Sequence, residues 1–327
     1  MTAPQIAPQT TLPVAPKRVL VTGASGFIGA HVVRVLLARG HEVAIILRPG
    51  REPWRLMDVL AQLTVIPGDL AAPDATLATA LAAWRPEACI HLAWYVEPGA
   101  YLVSRENIAA LQGSLRLLDA LIAAGCGHVV MAGTCAEYDP DPGVLHEDGP
   151  VRPTTLYAAA KHTLHLAASQ TAQERGISLA WARLFFLFGP QEDARRVVPA
   201  LICALLRDEP FAATAGEQVR DYLHVTDVAS ALCALTEHRV DGPVNISSGA
   251  PVSMRQLMEA IGDITGAGHR IDFGALPYRS WDPPVIVGDN GRLRAATGWA
   301  PAYATLLPGL ADTVAWWQAQ EQEQPPA

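Results

Sequence analysis

The run Arg18-Val19-Leu20-Val21-Thr22, followed at once by Gly23-Ala24-Ser25-Gly26-Phe27-Ile28-Gly29, constrains this chain more than any other feature. A short apolar run that ends in glycines reads as a buried strand. From about Ile28 to Arg39 apolar residues recur at helical spacing, and Gly40 sits where a C-terminal stop belongs. Glycines at such a junction let the backbone turn tightly and let a pyrophosphate approach it. The helix N-terminus then offers unbonded N–H groups to the phosphates. An ordinary strand-to-helix turn is the plainer reading, but the strand–turn–helix context points to dinucleotide binding through Gly23, Ser25, Gly26, Phe27, Ile28 and Gly29.

The rest of the chain continues the alternation. A second strand spans Glu42 to Leu47, and apolar runs at Leu63–Ile66, Ala88–Leu92, His128–Ala132 and Leu179–Phe185 read as further strands between Ala- and Leu-rich helical stretches. Strands alternating with helices imply an α/β fold with a doubly wound parallel sheet. After about residue 190 prolines, glycines and arginines fall irregularly, with helical pieces near Val198–Arg207 and Met254–Thr265. This texture predicts a smaller C-terminal lobe over the edge of the sheet where ligands bind. Val244-Asn245-Ile246 again reads as a sheet strand, so the boundary is discontinuous. The expected division is a leader at 1–16, a cofactor domain at 17–189 with returning segments near 222–248, and a substrate lobe at 190–221 and 249–320.

Charge narrows the partners. A formal net charge of −8 with only 17 % charged residues gives no general attraction to nucleic acid or anionic membranes. An anionic ligand must be held by local arginines. The five cysteines are scattered without C-x-x-C spacing, which argues against a disulfide framework or zinc site and fits a reducing cytosol. The leader has neither a basic nor an apolar signal region, and no apolar run reaches membrane-spanning length. A soluble, cytoplasmic protein is expected.

At the end of the second strand a carboxylate would bond the adenosine ribose hydroxyls and repel a 2′-phosphate. Here Leu47 is followed by Arg48, with Arg51 nearby, so NADP(H) is expected in preference to NAD(H). Asp69 and Leu70, ending the third strand, could hold the adenine amino group. Tyr157 and Lys161 are an (i, i+4) pair on one face of a helix. An ammonium beside a phenol favours the phenolate, so Tyr157 could pass a proton while hydride moves to or from a nicotinamide. Thr134, at the sheet's C-terminal edge, could reach the same oxygen; a plain cap is its structural alternative.

Together these residues resemble the extended short-chain dehydrogenases/reductases, the NAD(P)-dependent epimerase/dehydratase group, from Arg18 to about Trp316. The likeness also rests on Gly68-Asp69-Leu70, His91-Leu92-Ala93, Thr134 four residues before Tyr138, and Arg183 to Pro190. It extends to Arg220 through Ala229, Asn245 through Gly249, and Gly298-Trp299-Ala300-Pro301. The resemblance implies a Rossmann-type domain with a smaller substrate-binding lobe, and a triad of Thr134, Tyr157 and Lys161. It adds Leu92, Ala93 and Leu184 on the cofactor, and Arg220 and Arg279 on a substrate diphosphate. Trp94, Cys135, Ala136 and Phe186 would flank the sugar.

Departures sharpen the reading. Related 4,6-dehydratases carry an Asp-Glu pair directly after the triad threonine, whereas this chain has Cys135-Ala136, which argues against dehydration; Glu137 is displaced by one position. Cys135 stands one place before the cysteine of related reductases that also epimerise, and Phe186 replaces the usual asparagine. With Arg48 and a tail from Arg279 to Pro301 like that of GDP-4-keto-6-deoxymannose reductases, the leading expectation is NADPH-dependent reduction of a nucleotide-linked 4-keto-6-deoxysugar. The alternative is a nucleotide-sugar 4-epimerase on retained NAD. A reductase of apolar ketones or aldehydes, disfavoured by Arg220 and Arg279, and a non-catalytic NADP(H)-binding protein complete the set. By analogy a homodimer through helices near Asn107–Ala124 and Thr155–Glu174 is expected.

Overall fold

The computed structural model describes residues 17–72, 75–141, 143–279 and 282–323; the leader expected at 1–16 lies outside them. The first half runs β1 (Arg18–Thr22), α1 (Phe27–Ala38), β2 (Glu42–Leu47), β3 (Thr64–Pro67), α2 (Ala75–Trp84), β4 (Ala88–His91), α3 (Glu106–Ala123) and β5 (His128–Thr134). A short β6 (Val144–Leu145) precedes α4 (Leu156–Arg175), β7 (Ser178–Leu184) and β8 (Phe186–Phe188). Then follow α5 (Val197–Leu206), β9 (Phe211–Ala213), β10 (Val219–His224), α6 (Val225–Glu237) and β11 (Gly242–Ile246). The chain closes with β12 (Pro251–Ser253), α7 (Met254–Thr265), β13 (Ile271–Phe273), β14 (Val285–Gly288), α8 (Gly291–Thr297) and α9 (Leu306–Glu323).

The large sheet has seven parallel strands in the order β11-β7-β5-β4-β1-β2-β3. From β1 the chain winds one way through β2 and β3 and the other way through β4 and β5, so the crevice between β1 and β4 is the switch point where such sheets bind ligands. Strands covered on both faces read as continuous apolar runs, and Val19-Leu20-Val21 and Val129-Val130-Met131 are fully buried. One face is covered by α1 packed on α6, burying Val32, Val33 and Leu36 with Leu232 and Leu235. The other is covered by α3 packed on α4, through Leu117, Leu121 and Leu164.

β5 runs two residues past the apolar stretch, because Gly133 and Thr134 keep their register with Arg183 and Leu184 of β7. Thr134, expected just beyond the strand, is its last residue.

The smaller lobe is built on a second sheet, β12-β10-β14-β6 with β8 paired to β10, and on a β9–β13 pair. Its core packs Leu201 and Ile202 of α5 against Leu257 and Ile261 of α7 and Leu310 of α9. β10 belongs to this sheet, and the chain rejoins the large one through α6 and β11. Buried Asp221 staples β10 to the turn after β11 by accepting the N–H groups of Ser248 (2.6 Å) and Gly249 (2.9 Å). Asp227 of α6 accepts the N–H groups of Ala302 and Tyr303 at 2.6 and 3.1 Å, and Trp299 Nε1 donates to Ser230 at 2.8 Å. The Gly298–Pro301 tail therefore docks the chain onto α6 and is not an element of the ligand site.

Candidate active site

A cleft of about 2180 Å³ lies between the lobes at the C-terminal edge of the large sheet. It exceeds the roughly 300–1,000 Å³ usual for one small ligand and suits two ligands side by side. Each site residue expected from the sequence lines it: Gly23, Ser25, Gly26, Phe27, Ile28 and Gly29 of the glycine loop, Arg48, Asp69, Leu70, Leu92, Ala93, Trp94, Thr134, Cys135, Ala136, Tyr157, Lys161, Leu184, Phe186, Arg220 and Arg279.

At the switch point Gly23 has φ +68°, and a Cβ there would lie 2.7 Å from Ala93 N; at Gly29 a Cβ would lie 2.2 Å from Gly23 O. The N-cap of α1 is Gly26, with no side-chain cap bond, so the first-turn N–H groups stay open toward the cleft. Behind the loop Thr22 Oγ1 pairs with His91 Nδ1 at 2.6 Å and accepts Ala93 N–H at 3.2 Å, while His91 Nε2 meets Ser114 Oγ at 2.8 Å. Burial pushes His91 down to about 3, so it ties β1, β4 and α3 together as a neutral ring. These residues fit a dinucleotide. Arg48 and Arg51 are exposed at the mouth beside Glu52. Arg55, which no sequence pattern singled out, donates to Ser25 O (3.3 Å) and Gln191 O (3.0 Å), joining the glycine loop to the second lobe. Asp69 Oδ1 accepts Ala71 N–H at 3.0 Å and shapes the turn after β3.

Thr155 caps α4 by accepting Ala158 N–H at 3.2 Å, which sets Tyr157 in the first turn and Lys161 one turn later. The Tyr157 ring packs edge-on against Tyr101 at 4.9 Å and Trp94 at 6.5 Å. Burial drives its phenol well above the ordinary range, opposed by the neighbouring Thr134 side chain. Lys161 donates to Ala132 O at 2.7 Å and is pushed down to about 7 by burial. Thr134 also accepts Ala136 N–H at 3.2 Å, so the threonine is both cap and cleft residue.

On the substrate side Arg220 is 3 % exposed and bonds Asp282 Oδ1 at 2.6 Å, with its guanidinium 5.4 Å from the Phe186 ring centre. Arg279 is exposed and lines the same cleft. Cys135 and Ala136 line the cleft where dehydratase acids would stand, and burial pushes the Cys135 thiol up to about 12, leaving it protonated. Glu137 is fully buried and turned away from the cleft.

Sequence reading missed Arg195, Arg196, Tyr222 and Glu192, all on the cleft wall. Glu192 Oε2 is buried without a partner, and burial pushes its carboxyl up to about 8. Gln191, with φ +70°, turns the chain there. Two adjacent arginines after a Gly-Pro were the one visible signal; their direction depends on that left-handed turn.

A family model described as the NAD dependent epimerase/dehydratase family matches residues 19–247. The UDP-glucose 4-epimerase of Mycolicibacterium smegmatis is 30 % identical over 322 residues, covering 93 % of this chain and 100 % of that one. The dTDP-glucose 4,6-dehydratase of Streptomyces griseus is also 30 % identical, over 326 residues, covering 91 % and 93 %. Among solved structures, the UDP-N-acetylglucosamine 4-epimerase of Methanobrevibacter ruminantium M1, in complex with UDP-N-acetylmuramic acid, matches with a TM-score of 0.83 at 27 % identity, covering 93 % and 99 %. With the parallel sheet, the open helix N-terminus and the Thr134–Tyr157–Lys161 cluster on one cleft, these matches establish that the chain belongs to the NAD-dependent epimerase/dehydratase family.

Proposed function

We propose that the protein is a nucleotide-sugar 4-epimerase working with a retained NAD(P). The observation that carries this reading is Tyr157, one turn before Lys161 and sharing a cleft wall with Thr134, where the two residues after Thr134 are Cys135 and Ala136. Such a site can move one proton at one oxygen, but it lacks the acid pair needed to expel water. The epimerase relatives support this reading over the 4-ketoreduction expected first. The end of the tail that suggested a reductase, around Trp299, docks the chain on α6, while Arg279 and Asp282 at its start line the cleft.

A bound nicotinamide supplies the acceptor and donor of hydride at carbon 4. Tyr157 exchanges the proton of the 4-hydroxyl, and Thr134 orients that hydroxyl from the strand end. Lys161 as a cation favours the phenolate and so offsets the burial of Tyr157. Inversion requires both faces of the resulting carbonyl to be presented, which a cleft of about 2180 Å³ with the apolar walls Trp94 and Phe186 permits. Arg220, Arg279 and Arg196 are the local cations for a diphosphate.

Incubation with UDP-glucose, UDP-N-acetylglucosamine and dTDP-glucose, followed by chromatography of the nucleotide sugars, tests the reading. Formation of the 4-epimer without net change in reduced nicotinamide supports it; net oxidation of NADPH by a 4-keto sugar would instead restore the reductase. Arg48 and Arg51 support NADP(H) over NAD(H), and the nucleotide released on denaturation decides between them. Adjacent α3 and α4 expose Ile108 and Leu166, 40 % and 56 % accessible, which supports a homodimer through these helices, tested by light scattering. No helix among the described residues is long and apolar enough to cross a membrane.

A further inference from the structure

Glu137 is a charged residue that the chemistry above leaves unused. Its side chain is 0 % exposed, and donors converge on it from separate elements. Oε1 accepts the backbone N–H of Thr134 at 2.9 Å and Trp181 Nε1 at 3.0 Å. Oε2 accepts Trp181 Nε1 at 3.1 Å and Arg183 Nε at 3.2 Å. A buried carboxylate is costly unless its lone pairs find donors, so this is a built arrangement. The bond to Thr134 closes a reciprocal cap, with Thr134 Oγ1 accepting Ala136 N–H at 3.2 Å. The backbone of Thr134, whose side chain shares the cleft with Tyr157, is therefore held from behind by Glu137. Gly133 fits the same contact, since a Cβ there would lie 2.3 Å from Trp181 Nε1 and 2.8 Å from Glu137 Oε1.

The carboxylate also acts on α4. Lys161 Nζ donates to Ala132 O at 2.7 Å, on the same strand end whose Thr134 N–H is held by Glu137; burial drives this ammonium down to about 7, and Glu137 is the group that opposes the shift. We propose that Glu137 is the positioning residue of the proton-transfer centre: its buried carboxylate sets Thr134 through the backbone and supplies the negative charge that balances the Lys161 ammonium behind Tyr157.

The groups facing Glu137 are Trp181 and Arg183 of β7, His162 and His165 of α4, and Cys135 and Tyr157, which feel its charge; those facing Lys161 are Trp94 and His91. His165 stacks on Trp181 at 4.9 Å, and burial pushes it down to about 4, so it is neutral near pH 7, as is His91. Burial alone would raise the Glu137 carboxyl, but His162, Arg183, the Thr134 N–H and Trp181 together hold it below its ordinary value. His162 Nδ1 stands 3.8 Å from Oε2, outside hydrogen-bond range, so its effect is electrostatic. Glu137, His162 and His165 offer ligand atoms within 4.8 Å of one another, a spacing open to a metal ion. Both Glu137 oxygens already accept hydrogen bonds, Oε1 from Thr134 N–H and Oε2 from Arg183.

Lys17 and Lys161 are the chain's two lysines, so lysine labelled with carbon-13 at the ε position gives two resonances, and Lys17→Arg identifies that of Lys161. The shift is followed against pH in the full chain, together with kcat. In Glu137→Gln the Lys161 midpoint is expected to fall by roughly one unit, a tenfold loss of proton affinity. In Glu137→Asp, where the charge stays but the reach to Thr134 shortens, kcat falls and the midpoint stays. An unmoved midpoint in Glu137→Gln overturns the proposal. If that variant shows no cooperative melt, an undiminished kcat in Glu137→Asp overturns it instead. The inference rests on Tyr157 as the acid–base group; absence of epimerase activity would sink that reading, while the Lys161 midpoint still decides this one.

Discussion

Lys161 Nζ stands 3.8 Å from the centre of the Trp94 indole, whose Nε1 donates to Asn107 at 2.8 Å. The ring is thus clamped to α3 and turns its negative face to the ammonium. A desolvated contact of this kind is worth about 2 kcal/mol. Trp94→Leu is expected to shift the alkaline limb of kcat to lower pH and to cut kcat about tenfold, while Trp94→Phe retains most of both. The pH–rate profile checks this; an unchanged limb in Trp94→Leu would reduce the indole to a passive wall.

Tyr157→Phe removes the acid–base oxygen but keeps the ring that packs on Tyr101 and Trp94. Turnover should drop by about 10²–10⁴, with cofactor affinity changed little by titration calorimetry. Thr134→Val loses both the hydroxyl that neighbours Tyr157 and the cap to Ala136 N. It should lower kcat and also cost about 1 kcal/mol of stability. Retained turnover in Tyr157→Phe would remove the tyrosine from the mechanism.

Arg220 is paired with Asp282 at 2.6 Å, so its fitness to clasp a diphosphate depends on sharing its guanidinium. Asp282→Asn releases part of that pairing and should tighten UDP binding. Arg220→Leu should weaken it by tenfold or more, with kcat affected less than KM, on the order of 1–3 kcal/mol for a charged hydrogen bond. If UDP affinity is the same in both variants, Arg220 is a structural ion pair.

The Glu192 carboxyl, normally near 4.5, is raised to about 8 in the fold, chiefly by burial. A raised folded value means the native state holds this proton more tightly than the unfolded chain. The associated stability is complete below about pH 4.5 and is lost as pH rises through about 8. Glu192→Gln should therefore melt like the wild type near pH 4.5 and above it at pH 9. The expected gain is on the order of 2–4 kcal/mol. Thermal melts across this range decide it; parallel curves would mean that the carboxyl finds a partner on ionising.

Much of the site was legible because it depends on local pattern. The glycine loop, the Tyr157–Lys161 spacing and the apolar runs of β1, β4 and β5 follow from turn geometry, helical period and burial, which a single segment carries. Strand ends were less legible: β5 reaches Thr134 only because β7 offers it partners. Glu192 escaped notice because its direction depends on the turn at Gln191, and Arg55 because its acceptors are the backbone oxygens of Ser25 and Gln191. Trp299, which carried part of the family likeness, packs on α6, a partner that its own segment does not announce.

The sequence by itself therefore determined the parallel α/β class, the glycine turn after the first strand and the helical spacing of Tyr157 and Lys161, since periodicity and short spacings are properties of neighbouring residues. Only the tertiary structure decided what surrounds them. Arg220 is shared with Asp282, Glu137 stands behind Thr134, and Lys161 lies under Trp94. Hydrogen bonds and charges act over a few ångströms of space, and the residues that meet there come from strands and helices far apart in the chain.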